Sequence, residues 1–135
     1  MELAPGLTHS QSMTVTEDMT PSHLRSDAIR VLATPEMVRL VEQTAIQCVQ
    51  PHLKPGQSSV GTTVSIKHLA GTPEGMKVTI NVELTEMDRR RLTFKFEVHD
   101  EMEKVGEGTH ERFIIDRDSR LPKLKQKVDA WQAKR

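Results

Sequence analysis

A chain of 135 residues is long enough for one domain that buries roughly two thirds of its unfolded surface without disulfides or metals. Its 19 basic and 19 acidic side chains cancel, and this balance excludes the basic surface expected of a general nucleic-acid binder. Residues 1–12 lack the basic stretch and apolar core of an export signal, and no run approaches the roughly 18 apolar residues of a membrane span. We therefore expect a cytoplasmic protein that binds neither nucleic acid nor membranes.

The cysteine and aromatic content excludes further classes of site. Cys48 is the single cysteine, so it cannot form an intrachain disulfide, and no Cys-x-x-Cys or His-x-x-x-His pair suggests a metal site. Three Phe and one Trp are the only aromatic residues, too few for a platform on which bases or sugars stack. We expect a reduced protein without a metal, whose core is mainly aliphatic.

The N-terminal part should contain one strand and a long loop. Residues Ser12–Glu17 alternate Met13 and Val15 with threonines, which is the period-2 pattern of a half-buried strand. The stretch Asp18–Ala33 carries scattered charge and is expected to be a loop. Loops of that length inside a compact domain are often lids or walls of a site.

The apolar spacing after Ala33 predicts a helix. Thr34 suits the N-cap and Pro35 the first helical position, because the cap oxygen satisfies free amides and proline lacks a donor that would have no partner there. The helix should end at Gln50-Pro51. Glu42 projects away from the polar face, so its carboxylate either lies partly out of water or reaches water along the edge of the face.

Four strands with alternating polar and apolar residues follow the helix, and short polar connectors suited to antiparallel turns join them. Gly106 and Gly108 in the last strand permit a bulge or the close approach of another backbone or a ligand. The predicted strands are Val60–Leu69, Met76–Leu84, Leu92–Val98 and Val105–Ile115.

These elements predict an α+β protein with the hot-dog architecture, because a curved antiparallel sheet of about five strands has one apolar face that the single long helix must cover. A short C-terminal helix is also expected, since apolar residues recur there at helical spacing. These residues are Leu121, Leu124, Val128 and Trp131. Residues 1–135 should form one domain, with terminal extensions at residues 1–11 and 117–135.

Four motifs occur in order along nearly the whole chain. They are Leu32-Ala33-Thr34-Pro35 followed by Glu42, Ser59-Val60-Gly61-Thr62, His68-Leu69-Ala70-Gly71-Thr72-Pro73, and Gly106-Glu107-Gly108-Thr109-His110-Glu111-Arg112. In order and spacing they resemble the fluoroacetyl-CoA thioesterase type of hot-dog protein. The combination of Gly-Thr-His-Glu-Arg with His-x-Ala-x-Thr-Pro is much more specific than any single residue.

The resemblance implies an enzyme that hydrolyses acyl-CoA thioesters and forms a homodimer or a higher oligomer. Thr34, Glu42 and His68 match the family's catalytic set, and Gly61 and Arg112 match positions that contact the substrate. Hot-dog dimers usually build each site from both subunits, so the three catalytic groups need not come from one chain. The resemblance implies no metal, and no cofactor either, since CoA is part of the substrate.

The chemistry of these residue types agrees with the resemblance. His68 can accept a proton near neutral pH from Thr34 or from water. Glu42 can orient the imidazole, activate water, or attack the acyl group itself through an anhydride, and the sequence does not choose among these routes. Free amides at the Thr34 end of the helix, or the backbone near Gly61, can stabilise the oxyanion.

Each candidate also has a purely structural interpretation. Thr34 alone would be a helix cap, His68 a hydrogen-bonded core histidine, and Arg112 a partner in an ion pair. The joint pattern favours the site, because independent structural roles do not predict all of these positions together. His99 and His110 are expected at the strand surface or at an interface.

The substrate and the basic clusters are less constrained. Members of the family specific for fluoroacetyl-CoA carry aromatic residues ahead of the catalytic threonine, whereas Arg25–Ala33 contains none. We therefore expect another small or medium acyl group, held near Met37 and Val38. Arg89-Arg90-Arg91 and the lysines from Lys123 onward can meet CoA phosphates or form a solvated edge.

Two other functions fit the same fold. A non-catalytic hot-dog module would bind acyl-CoA or lipid without turnover, and the three polar groups argue against it. An enoyl-CoA hydratase or dehydratase of the hot-dog type would act on an enoyl thioester without releasing thiol.

Overall fold

The computed structural model describes residues 2–135. One antiparallel sheet of five strands has the order β1-β3-β4-β5-β2, and the long helix α1 packs on it. The elements are β1 (Thr8–Thr14), α1 (Thr34–Val49), β2 (Gln57–His68), β3 (Lys77–Asp88), β4 (Arg91–Asp100), β5 (Lys104–Asp116) and α2 (Arg117–Ala133). Single 3-10 turns occur at Glu17–Met19, Ser22–Leu24 and Gln50–His52. The predicted hot-dog architecture is confirmed.

The core lies between α1 and the inward face of the sheet. Alternate residues of β3 and β4 are buried, as expected of strands with one covered face. Cys48 is buried on the apolar face of α1. The largest buried core side chains include Phe94, Phe96, Leu32, Met37, Ile80, Leu84 and Leu92.

The first strand lies earlier than the apolar alternation predicts. It spans Thr8–Thr14 instead of Ser12–Glu17, so residues 8–11 belong to the sheet. The inward side chains of its first half are polar. His9 forms a hydrogen bond with Gln47 of α1, and Gln11 donates a hydrogen bond to Thr44 of the same helix. Because the inward side chains of residues 8–11 are polar, the sequence shows no alternation of apolar residues there, and the start of the strand was not predicted.

The N-terminus of α1 corrects the prediction that Thr34 is the N-cap. Ala33 occupies the cap position and makes no side-chain cap hydrogen bond, while Thr34 is already helical and Pro35 lies in the first turn. The amide of Met37 donates to the carbonyl of Ala33. The Thr34 hydroxyl is therefore not used for capping and can bond elsewhere.

Strand β2 is an edge strand with a bulge at its centre. It pairs only with β5, and the register shifts between Gly61 and Thr63. Thr62 is the extra residue, and its hydroxyl donates to the carbonyl of Glu111. A bulge of this kind interrupts the regular alternation of side chains along the strand.

Helix α2 follows β5 without a break and has no buried residue. Its apolar side chains are exposed, with Leu121 at 64% and Trp131 at 58%. Within residues 2–135, no helix is both long and apolar enough to cross a membrane.

Candidate active site

The Thr34 hydroxyl and the His68 imidazole form a direct hydrogen bond. Thr34 Oγ1 lies 2.7 Å from His68 Nδ1. Thr34 is in the first turn of α1, and His68 is the last residue of β2, so the bond joins the start of the helix to the end of an edge strand. A hydroxyl against an imidazole nitrogen is the arrangement that lets the ring accept the hydroxyl proton.

The surroundings of His68 favour its neutral form. Burial lowers the pKa of His68, and the backbone of Ala70 partly offsets this effect. Its second nitrogen, Nε2, is buried and makes no hydrogen bond of good geometry with the part of the chain that the structure describes. A neutral imidazole can act as a base, and Nδ1 is the nitrogen that lies beside the Thr34 hydroxyl.

Glu42, Gly61 and Arg112 form a second group. Glu42 Oε1 lies 3.8 Å from Arg112 Nη1, and the Glu42 side chain is 39% exposed while that of Arg112 is 4% exposed. Gly61 pairs with Arg112 across β2 and β5. A Cβ on Gly61 would overlap Glu42 Oε1 and lie 3.2 Å from Arg112 Nη1. The absence of a side chain therefore makes room for this carboxylate.

Arg112 is a buried cation with well-defined partners. Its Nε donates to Ser59 Oγ at 2.8 Å, and its Nη2 donates to the Ser59 carbonyl at 2.9 Å. Its Nη1 lies 3.3 Å from Nε2 of His110. Burial lowers the pKa of Arg112, and the charge of Glu42 opposes this effect. A desolvated guanidinium persists only with such partners.

Within one chain, the structure separates these two groups. Thr34 and Glu42 are eight residues apart on α1, which is about 12 Å along the helix axis. His68 is the last residue of β2, and Gly61 lies seven residues earlier, beside the central bulge. No hydrogen bond or ion pair between residues 2–135 joins Glu42 to Thr34 or His68. Of the three predicted catalytic residues, Thr34 and His68 are therefore in contact within the single chain, whereas Glu42 lies apart from them.

Ser59 and His110, the hydrogen-bond partners of Arg112, were not identified from the sequence as site residues. The expectation that His110 lies at the strand surface or at an interface is wrong, because it is 1% exposed in the single chain. One signal was available: His110 precedes Arg112 by two positions on the same strand, so both side chains point to one face. Ser59 precedes Gly61 by two positions on β2, so the equivalent signal was available for it as well.

The remaining sequence candidates lie outside these groups. Met37 is buried and packs against Gly106, where a Cβ would lie 2.6 Å from Met37 Sδ. Arg90 pairs with Asp116 at 2.9 Å at the exposed end of the sheet. A broad groove on the outer face of the sheet has other residues in its walls, namely Thr8, His9, Ser10, Asn81, Val82, Glu83, Lys95, Phe96 and Glu97. No group of three or more potential metal ligands occurs among residues 2–135.

Comparisons with known proteins identify the family and the fold of this chain. The family described as "Fluoroacetyl-CoA-specific thioesterase" matches residues 15–118. A fluoroacetyl-CoA thioesterase from Streptantibioticus cattleyicolor is 39% identical over 100 residues, which cover 74% of this chain and 72% of the relative.

Solved structures show the same relationship. The fluoroacetyl-CoA thioesterase FlK superposes with a TM-score of 0.85 at 32% identity and covers 94% of this chain and 98% of its own. A FlK variant of 33% identity was solved in complex with fluoroacetate and CoA, with a TM-score of 0.80 over 87% of this chain and 98% of its own. A Thermus thermophilus protein of the thioesterase superfamily, 24% identical, has a TM-score of 0.86 over 96% of both chains and supports the fold alone. The chain therefore belongs to the family of fluoroacetyl-CoA-specific thioesterases, which are thioester hydrolases of the hot-dog fold.

Proposed function

We propose that this protein hydrolyses a small or medium acyl-CoA thioester to the free acid and CoA in the cytoplasm, without a metal or cofactor. The observation that carries the proposal is the 2.7 Å hydrogen bond between Thr34 Oγ1 and His68 Nδ1. Thr34, His68 and Glu42 are the proposed catalytic residues, and Gly61 and Arg112 are proposed to contact the substrate. The family to which the chain belongs supports the reaction class.

The chemistry needs an activated oxygen nucleophile. His68 takes a proton from the Thr34 hydroxyl, or from a water molecule beside it, while that oxygen attacks the thioester carbonyl. The C–S bond then breaks and CoA leaves as a thiolate, which needs little protonation. Water supplies the second oxygen of the acid product, either directly or by hydrolysis of an acyl-Thr34 intermediate.

Stabilisation of the oxyanion is assigned to the start of α1. The amide of Glu36 lies in the first turn, where the helix dipole is positive and the backbone has free donors. Donors placed there before the reaction are worth more than the same groups in water.

We further propose that the active form is a homodimer in which Glu42 of one subunit faces Thr34 and His68 of the other. Strand β2 is an open edge, and such an edge is suited to pairing with another strand. A two-fold antiparallel pairing of β2 centred between Val64 and Ser65 would place His68 of one chain opposite Gly61 of the next. The Glu42 side chain is 39% exposed in the single chain, so its carboxylate is accessible to a partner subunit.

The substrate class follows from chain composition near the site. Residues Arg25–Ala33 carry no aromatic side chain, so no ring closes over the acyl group from this segment. Val38 is half-buried one turn after Thr34 and is proposed to contact the acyl chain. We expect turnover of several small and medium acyl groups, where a closed aromatic site would select one.

A panel of acyl-CoA thioesters tests the proposal, with released thiol as the readout. The native protein should release CoA from short and medium members, and His68→Ala should abolish release while binding of CoA persists. Binding without release would indicate an acyl-CoA module. Hydration of an enoyl thioester without free thiol would indicate a hydratase, and either result would overturn the proposal.

A further inference from the structure

His110 lies directly behind Arg112, outside the proposed catalytic set. The two residues share the inward face of β5, and His110 is 1% exposed. Its ring stacks on Phe94 with a centroid distance of 6.0 Å and an interplanar angle of 27°. A Phe or Leu would fill such a space without the free-energy cost of burying two polar nitrogens. The imidazole at this position therefore indicates a role for its hydrogen bonds in addition to packing.

Two contacts fix the same tautomer of His110. Its Nδ1 lies 2.8 Å from the carbonyl oxygen of Thr63, which can only accept, so Nδ1 carries the proton. In the neutral ring Nε2 is then an acceptor, and it faces Nη1 of Arg112 at 3.3 Å, which can only donate. In this tautomer Arg112 donates a hydrogen bond to Nε2 of His110, and Nδ1 of His110 donates one to the Thr63 carbonyl of β2.

The protonation state of His110 agrees with this direction. Burial lowers the pKa of His110; the Thr63 carbonyl opposes this effect, Arg112 adds to it, and the carboxylates of Glu42 and Glu111 oppose it. A protonated ring would place a second N–H against the Arg112 guanidinium. The neutral ring removes that conflict and supplies a lone pair.

The contact with His110 completes the positioning of the guanidinium. Ser59 holds Nε and Nη2, and His110 holds one side of Nη1. A planar guanidinium bonded at all three nitrogens cannot rotate about its long axis. The second Nη1 proton then remains on the side of Glu42 Oε1, which lies 3.8 Å away.

We propose that His110 is a positioning residue that, as a hydrogen-bond acceptor, aims Arg112 at the Glu42 carboxylate and at the substrate. This role rests on the proposed thioesterase function. His110 touches neither Thr34 nor His68 in the described chain, so it acts through Arg112. A change of about 1 Å in the aim of such a group can alter catalysis by about 100-fold.

Two substitutions separate positioning from packing. His110→Gln places an acceptor oxygen where Nε2 was but loses the donor at Nδ1, whereas His110→Asn keeps the donor toward Thr63 but withdraws the acceptor from Arg112. We expect kcat/KM for thiol release to fall about 10- to 100-fold in His110→Asn and less than about threefold in His110→Gln. A purely structural role predicts equal losses, or a smaller loss in His110→Asn, and either result would overturn the proposal.

The tautomer provides a test that needs no variant. Nitrogen-15 NMR of the ring in the native protein at neutral pH should show a protonated Nδ1 and an unprotonated Nε2 for His110. A protonated Nε2 could not accept from Arg112 and would end the proposal. A native protein that released no thiol would instead end the thioesterase function, so the two failures are distinguishable.

Discussion

Thr34 and His68 are 34 positions apart in the sequence, and yet Thr34 Oγ1 lies 2.7 Å from His68 Nδ1. The bond exists because Ala33, and not Thr34, occupies the cap position of α1. A threonine that capped the helix would have its oxygen turned toward the backbone amides of its own first turn. Release from that role allows the hydroxyl to face the imidazole.

Replacing Thr34 by Val should remove activity and leave stability nearly unchanged. The isosteric side chain keeps the shape but lacks the hydroxyl, so thiol release should fall about 10²- to 10⁴-fold. The free energy of unfolding should change by less than about 1 kcal/mol, because Thr34 provides no cap. Thr34→Ser retains the hydroxyl and is the matched control, with activity within about tenfold of native. Equal activity of the Val and Ser variants would contradict the role of the hydroxyl.

Mixing two inactive variants should restore activity if each site takes groups from both subunits. Glu42→Gln and His68→Ala should each be inactive alone. A mixed dimer contains one site with native His68 and native Glu42, so random exchange of subunits should recover about a quarter of native thiol release. The measurement is activity after the two proteins are unfolded together and refolded, compared with each protein refolded alone. No recovery, in a sample shown to be dimeric by light scattering, would place all the groups in one chain.

Activity should persist to mildly acidic pH. The ordinary value for histidine is 6.5, and burial lowers the pKa of His68, so the neutral base survives below that value. We expect the acidic limb of kcat/KM to have an apparent pKa below 6.5, measured for a short acyl-CoA between about pH 5 and 8. A limb at or above 6.5 would contradict a desolvated base.

Stability should follow the same titration. Unfolded His68 binds a proton near 6.5 whereas folded His68 resists it, so the unfolded state takes up more protons as the pH falls. The contribution of neutral His68 is complete above about 6.5 and decreases as the pH falls toward its lowered pKa. Urea unfolding at about pH 5 and 7 should therefore show a smaller acid-induced loss for His68→Ala than for the native protein. An identical loss would show that His68 is not desolvated.

Gly61→Ala should damage the site more than the fold. The added Cβ would overlap Glu42 Oε1 and crowd Arg112 Nη1, so the carboxylate must move. We expect kcat/KM for thiol release to fall about 100-fold. Ser65→Ala, an exposed position on the outward face of the same strand, should leave thiol release unchanged. Similar effects of the two substitutions would indicate that Gly61 does not border the site.

Gly108→Ala should instead destabilise the sheet. A Cβ there would overlap the Ser65 carbonyl of β2 and lie 2.9 Å from Phe96 Cζ, and backbone cannot move aside as a long side chain can. We expect a loss of about 1 to 3 kcal/mol in the free energy of unfolding, measured by chemical denaturation. Thr109→Ala, exposed at the next position, is the control. A native midpoint for Gly108→Ala would contradict this close approach.

Much of the architecture could be predicted because apolar periodicity records which face of an element is buried. The strands after the helix alternate with period 2, and each is found within a few residues of its predicted bounds. The bounds of β1 were predicted too late in the chain because His9 and Gln11, which point inward, are polar and form hydrogen bonds with side chains of α1. Hydrogen bonds between distant side chains leave no period in the sequence.

The site was predictable only in part, for a similar reason. Local patterns indicated that Thr34, Glu42 and His68 carry suitable chemistry, and the motifs grouped them. They could not indicate that Thr34 and His68 touch within one chain while Glu42 lies beside Arg112. They placed His110 on the same face of β5 as Arg112, but its hydrogen bond to the carbonyl of Thr63 across the sheet leaves no local pattern.

The bulge at Thr62 sets the phase of β2. From His68 back to Val64, alternate residues point inward; without an extra residue, the same rhythm would continue through Thr62 and Val60 and turn Gly61 to the solvent side. The extra residue shifts the alternation of inward and outward side chains by one position, so Ser59 and Gly61 face Arg112 and Glu42 instead. A single extra residue therefore lets one edge strand turn His68 on one side of the bulge, and Ser59 and Gly61 on the other, toward the helix that covers the sheet.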